Sequence, residues 1–249
     1  MSSARISTGV LREAVGTLLP PAGDRHGPLV PMMVALTFLT GVVDAASYLK
    51  LGHVFVANMT GNVVFLGFAL VGAGGLSITA SLVALGSFLV GALAGGWIGG
   101  RTPDHRGRML GSASAAQGAL IAVSLIVALL ASEPLHEAVR YGLLVSLALA
   151  MGIQNAAAQR LAIPELTTTV LTRTLTGLAS EARIVGGAGS QAGRRLVAVA
   201  AMLLGALAGA LLALHVAVAA ALGVALAIAV AVGVAVRVLS RSDPPWIRA

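Results

Sequence analysis

The sequence predicts an all-α, polytopic transmembrane helix bundle made of two repeats of about 110 residues, and three observations carry that expectation. Of its 249 residues, 57% are apolar and 10% charged, whereas a soluble globular domain carries about a quarter charged residues. Uncharged runs such as Val54–Gly100, Met109–Ala131, Leu196–Leu214 and Val216–Val236 are each long enough for one or two helices at roughly 20 residues per crossing. An offset of about 111–114 residues relates three motifs in order. Gly41-Val-Val-Asp44-Ala-Ala matches Gly152-Ile-Gln-Asn155-Ala-Ala, Met59-Thr60-Gly61-Asn62 matches Leu171-Thr172-Arg173-Thr174, and Gly91-Ala-Leu-Ala-Gly95 recurs as Gly205-Ala-Leu-Ala-Gly209.

Residues 1–29 hold Arg5, Arg12, Glu13, Asp24 and Arg25 and no apolar stretch of signal-peptide length, so they read as a retained cytoplasmic tail with a short amphipathic turn over Val10–Leu19. The first membrane repeat, 30–131, divides into apolar segments at about 30–51, 54–72, 77–100 and 110–131. The second, 132–238, divides at about 139–159, 166–186, 195–214 and 216–238. Residues 239–249 form a second cytoplasmic tail. The breaks are glycine-rich or polar, as turns outside hydrocarbon should be: Val71-Gly-Ala-Gly-Gly75, Arg101-Thr-Pro-Asp-His-Arg-Gly-Arg108 and Ser132-Glu-Pro-Leu-His-Glu137.

Not every segment is expected to cross. Segment six carries Glu165, Arg173, Glu181 and Arg183 among threonines, and each charge in mid-membrane costs roughly 2.5–3.5 kcal/mol, so protein must shield it. By the repeat, segment two behaves alike. If both enter and leave on one side, Arg101, Arg106, Arg108, Arg160, Arg183, Arg194, Arg195, Arg237, Arg241 and Arg248 all fall on the cytoplasmic side. Eight crossings would put the Arg101–Arg108 loop outside, against the positive-inside rule. The expectation is therefore three crossings per half, two interrupted or re-entrant segments, and halves of opposite orientation, in a bacterial cytoplasmic membrane with both termini inside.

This composition excludes a water-soluble enzyme. The formal charge of +7 is spread over short clusters between apolar runs, which gives no continuous basic face for nucleic acid. The absence of cysteine excludes disulfides, thiol catalysis and Cys-ligated metals, and five dispersed histidines suggest no metal centre. No catalytic residues and no cofactor are expected. Trp97 and Trp246 read as anchors at the membrane interface.

Several polar residues lie inside apolar segments. Asp44 is an intramembrane carboxylate, which by default suggests a functional site, although a helix-end residue beside Lys50 and His53 is the simpler alternative. Arg173 is its cationic counterpart, and the two are expected to be coupled. Asn58, Thr60 and Asn62 surround Gly61 in a run that lipid cannot satisfy by hydrogen bonding, and the glycine permits a backbone break. Gln154, Asn155, Thr172 and Thr174 stand opposite by the repeat. Such residues either line a solute path or cement helix packing. Gln117 reads as an interhelical bonding residue, and Gly91, Gly95, Gly99, Gly205 and Gly209 as flat faces for close helix contact, within the bundle or between subunits.

The Gly41-Val-Val-Asp44-Ala-Ala-Ser-Tyr48 stretch, the Ala57-Asn-Met-Thr-Gly-Asn62 block, Met151-Gly-Ile-Gln-Asn155-Ala and Leu171-Thr-Arg-Thr-Leu-Thr176 together resemble the YoaK-like family of bacterial inner-membrane proteins, a family of unknown function. The resemblance spans residues 30–240 and implies membrane location and fold, without a substrate. Where members of that family often carry Thr-Gly-Thr, this chain has Thr172-Arg173-Thr174. The leading functional expectation is a small-solute or ion transporter, or a channel-like protein, with a polar path between the repeats. The alternative is a membrane scaffold or assembly protein. Expected partners are the lipid bilayer, a small solute or ion, and a second copy of the chain through the glycine faces; nucleic acid is not among them.

Overall fold

In a computed structural model, residues 2–21, 23–132, 134–164, 171–180, 191–242 and 245–248 are described, and among them the chain is helical with no strand. The α-helices are α1 (Ser2–Leu18), α2 (Leu29–Lys50), α3 (Met59–Leu70), α4 (Ile78–Gly100), α5 (Arg106–Leu130), α6 (Glu137–Leu161), α7 (Leu171–Ser180), α8 (Ala192–His215) and α9 (Val218–Leu239). Six of these, α2, α4, α5, α6, α8 and α9, are long and apolar enough to cross a membrane. The chain is a multi-pass membrane protein, and a lipid bilayer is its surroundings.

The apolar segments read from sequence coincide with α2, α4, α5, α6, α8 and α9 to within about four residues at each end, the usual uncertainty of helix boundaries. Segment two differs. Only 59–70 is helical, too short to span hydrocarbon, and 51–58 has no helix. Of segment six, 171–180 is helical, while Glu165, Thr167–Thr169, Glu181 and Arg183 lie outside the described residues.

Helix directions follow from close contacts at glycine. Gly205 and Gly209 of α8 meet Phe38 and Val42 of α2 in the same order, so these two helices run parallel. Gly91 and Gly95 of α4 likewise meet Leu149 and Ile153 of α6. A methyl group at Gly95 would sit 2.8 Å from the Ile153 carbonyl oxygen, closer than real contacts allow, so only hydrogen fits. The reciprocal positions are also glycine: Gly41 abuts Met202 and Ala206, and Gly152 abuts Phe88 and Ala92. Across α5 and α9, Gly111, Ser114 and Gly118 meet Val236, Gly233 and Ala229, which is an antiparallel order. Gln117 and Ser124 of α5 likewise meet Gln154 and Ser146 of α6 in antiparallel order, and α8 turns back into α9 over residues 216–217, so α2, α5 and α8 point one way and α4, α6 and α9 the other. Since α2 ends where α4 begins, residues 51–77 leave and return at one end of the bundle.

The glycine faces are thus covered within the chain, with α2 against α8 and α4 against α6. The core is built on α2 and α6, the two most enclosed spans. Leu36, Leu39, Val42 and Val43 are buried on α2, and Leu143, Leu144, Leu147 and Met151 on α6. Lipid-facing leucines and valines remain exposed on α4, α5, α8 and α9.

The N-terminal tail departs from expectation, being a full helix rather than a short turn. Gly193 leaves room for the backbone of Val10 and Ala14, and the Glu13 carboxylate accepts a hydrogen bond from Gly193 N (3.0 Å) at the start of α8, where an anion is favoured by the helix dipole. Trp97 is 64% exposed with the Arg101 guanidinium 3.1 Å from its ring centre, in keeping with an interface anchor. Trp246 is not one. It is 7% exposed and packs on Gly27, whose φ of +45° and missing side chain admit the indole.

Candidate functional site

The distinctive Ala57–Asn62 block works together with the end of α2. After Lys50 the chain reverses through Gly52 (φ +117°) and His53 (φ +57°), the first suited to glycine and the second an uncommon conformation for a side-chain-bearing residue. The chain then runs back along α2. Ser47 Oγ donates to the Val54 carbonyl (2.9 Å), and the Asp44 carboxylate accepts three backbone N–H groups: Val56 (2.9 Å) and Ala57 (2.8 Å) on Oδ1, Asn58 (3.1 Å) on Oδ2. Asp44 lies six residues before the end of α2, about 9 Å along the axis at 1.5 Å per residue. The reversed segment therefore descends to that depth before α3 climbs back.

Asn62 completes the clasp. Its Oδ1 accepts from Phe55 N (2.8 Å) and its Nδ2 donates to Phe55 O (2.6 Å), so one buried amide satisfies both backbone groups of a non-helical residue. Gly61 faces the Phe55 ring, where a methyl group would lie 2.8 Å from Cδ2. Phe55 stacks on Tyr48 of α2 (5.1 Å between ring centres) and on Phe65 of α3 (5.7 Å). The glycine expected to mark a backbone break is inside α3 and serves packing; the break itself is at 51–58. Sequence reading missed this aromatic cluster, whose signal was three rings, at 48, 55 and 65, flanking the polar block.

A second polar group lies further into the bundle. Gln117 of α5 donates through Nε2 to Gln154 Oε1, and Gln154 Nε2 donates to Thr40 Oγ1 of α2 (2.8 Å). Thr40 is one turn from Asp44 on the same face, so α2 presents the clasp and this bridge in succession. The interhelical role expected of Gln117 is what the geometry shows. Asn155, beside Gln154, donates to the Met151 carbonyl of its own helix (2.9 Å).

Of the predicted path residues, Asp44, Asn58 and Asn62 come together in the clasp, with Gln154 one turn away along α2. Thr60 and Thr172 are exposed, and Thr174 is buried. The Arg173 side chain lies outside the described residues. Asp44 has three backbone amide partners, and its expected coupling to Arg173 rests on a side chain outside the described residues. The two short helices lie against different neighbours, α3 on α4 and α7 on α8, where Gly177 sits under the Arg195 guanidinium.

At the opposite end of α2, Asp24 Oδ1 accepts from His26 N (2.7 Å) and Gly27 N (3.0 Å), shaping the turn into the helix. Arg106 approaches His26 Nδ1 (3.1 Å) and donates to the Leu161 carbonyl at the end of α6 (2.9 Å). Burial, followed by the neighbouring Arg106 charge, holds the His26 imidazole below its ordinary value.

These features define a polytopic helical membrane protein with one half-length helix clasped against its first span. The chain belongs to the family described as "Protein of unknown function (DUF1275)", whose pattern matches residues 32–235, and it is thus YoaK-like. It is 34% identical over 149 residues to the UPF0700 transmembrane protein YoaK of Bacillus subtilis (strain 168), an alignment covering 59% of this chain and 64% of that protein. No solved structure matches.

Proposed function

We propose that this protein passes a small solute or ion across a bacterial cytoplasmic membrane, between two repeats of opposite orientation, with both termini inside. The observation that carries this reading is the interrupted backbone at 51–58, held at the depth of Asp44 by side chains. Irregular backbone at membrane depth is tolerated where protein or a wet cavity lines it, and discontinuous helices of this kind recur at the solute sites of inverted-repeat transporters.

The reciprocal glycine contacts support the repeat. Gly41 and Gly152 are equivalent under the offset, as are Gly91 with Gly205 and Gly95 with Gly209, and each pair makes the same kind of contact on equivalent helices. Since α2 and α6 run in opposite directions, the repeats would be inverted. The arginines at 101, 106, 108, 160, 194, 195, 237 and 241 gather at the end where α2 begins, the side the positive-inside rule assigns to the cytoplasm. In this reading Asp44 and Asn62 hold the hairpin rigid, while Asn58, Thr60, Asn155, Thr172, Arg173 and Thr174 remain the candidates for contact with the solute. The reading assigns no catalytic chemistry and no cofactor.

A scaffold or assembly role is favoured by one observation, that Gln117, Gln154 and Thr40 bond one another across three helices, as polar residues that cement helix packing do. Vesicles containing the purified protein separate the two readings. Flux of potassium, chloride, glycerol or urea above that of empty vesicles, lowered when Thr60→Cys or Thr172→Cys is modified by a polar thiol reagent, supports transport. Absence of flux for all four, with both cysteines unreactive in the bilayer, supports the scaffold.

A further inference from the structure

Where α5 starts and α9 ends, the seam between them opens into a cavity of about 470 Å³. Its wall carries Arg108, Arg237 and Arg241, with His105, Ser112 and Ser240 between them, and none of its lining residues is acidic. Two glycines on α5 let the side chains from the end of α9 pack close against it. Gly107 faces Ser240, and Gly111 faces the stem of Arg237, whose Cγ would lie 3.7 Å from an added methyl group. Three guanidinium groups around one hollow repel each other, so an anion bridging them relieves that cost as well as forming charge-assisted hydrogen bonds. His105 Nδ1 accepts from Arg108 N (3.0 Å), which leaves Nε2 as a further donor.

The depth of the cavity says what kind of anion can reach it. Arg108 and Arg237 lie within a turn of the ends of α5 and α9, at the same end of the bundle as the exposed Trp97 and its Arg101 partner, where hydrocarbon gives way to headgroups. Just past the end of α9, in the 3-10 turn Ser240–Ser242, Arg241 follows the exposed Val234 and Val238 of that helix, and on α5, Arg108 and Ser112 begin an exposed stripe that runs on through Ala115 and Ala119. Cations thus sit directly above surface that faces lipid tails.

We propose that this cavity binds a phosphate group, presented by an anionic phospholipid headgroup or arriving as free phosphate. Arginine suits it because its planar fork meets phosphate oxygens in pairs, and basic hollows between membrane helices on one side of the bilayer are suited to lipid headgroups. The proposal is independent of any transported solute.

The test uses the full chain in a neutral detergent, with thermal unfolding read against added phosphatidylglycerol, phosphatidylcholine or inorganic phosphate. Arg108→Gln, Arg237→Gln and Arg241→Gln change exposed side chains, so each variant should unfold near the wild-type temperature without ligand. A rise in unfolding temperature with phosphatidylglycerol alone, weakened roughly fivefold in apparent affinity for each arginine removed and unchanged in Arg12→Gln, establishes a lipid phosphate site. An equal rise with inorganic phosphate, lost in the same variants, establishes free phosphate as the ligand. No rise with either ligand, or a rise that the three variants leave intact, overturns the proposal.

Discussion

Replacing Asp44 by asparagine isolates what its carboxylate does. The shape is preserved and the side chain becomes neutral, so packing changes little. Oδ1 keeps its bonds to Val56 and Ala57 as a weaker, uncharged acceptor, while the new NH₂ group points at the Asn58 N–H that formerly donated to Oδ2. A hydrogen bond to a charged group contributes about 1.5–3 kcal/mol and a neutral one about 0.5–1.5, so weakening two and losing the third costs roughly 3.5–6 kcal/mol gross. Against this, a neutral amide is cheaper to bury than an ion, a gain of one or more kcal/mol that brings the expected loss to about 3 kcal/mol. For a chain of this size that is a fall of roughly 6–12 °C in unfolding temperature. A local readout accompanies the global one. Ala57→Cys introduces the sole thiol into a cysteine-free chain at a buried position, and it should react slowly with a polar reagent until Asp44→Asn releases the clasp. An unchanged or raised unfolding temperature, with Ala57→Cys still protected, would refute the account, because the three amides would then be held by something other than the carboxylate.

Asn62→Leu should cost roughly 2–4 kcal/mol, measured by thermal unfolding, because both backbone groups of Phe55 lose their partner; a gain in stability would place Asn62 against lipid. Gly205→Val and Gly91→Val should each destabilise by roughly 3 kcal/mol or more, since the added side chain meets the backbones of Phe38 and Leu149, whereas Gly96→Val, which meets nothing within 4 Å, should stay within about 0.5 kcal/mol. Lowering the pH should weaken the fold through His26. Its folded value lies below the ordinary one, so the unfolded chain takes up its proton first, and the contribution present above about pH 6.5 is lost as the pH falls below that point. His26→Gln should flatten that slope in unfolding scans between about pH 7.5 and 5.5. In intact cells Pro134→Cys should label from outside and Asp104→Cys should not; labelling of Asp104→Cys would mean that residues 51–77 cross the membrane.

Much of the fold was legible because hydrocarbon is an exacting solvent. Spans of the required length announce themselves, and α2, α4, α5, α6, α8 and α9 fell where the apolar runs put them. The short length of α3 was foreshadowed only through segment six, whose charges could not face lipid, and through the repeat that carried the inference back. The direction of Asp44's bonds was not legible. A carboxylate in an apolar run signals an unmet need, and whether a distant cation, a solute or three backbone amides meets it depends on a reversal at Gly52 and His53 that has no periodic signature. The same holds for Trp246, whose place on Gly27 depends on how the last residues fold back. Gly41 and Gly152 were visible as repeat landmarks, yet their contact role emerged only once their partners on α8 and α4 were known, since a flat face does not name what lies against it.

The pairing of α2 with α8 constrains the order of biosynthesis. The first span emerges from the ribosome with the small residue Gly41 on the face that will be covered, but the helix that covers it is completed some 165 residues later, on the order of 10–30 s at usual rates of synthesis. During that interval α2 holds Thr37, Thr40 and Asp44 in a nascent chain without α8. Early capture of Val56, Ala57 and Asn58 by Asp44 would neutralise the costliest of these groups within 14 residues of its own translation. The clasp would then act first as a device that keeps an unfinished chain in the bilayer, before it has any role in the finished protein.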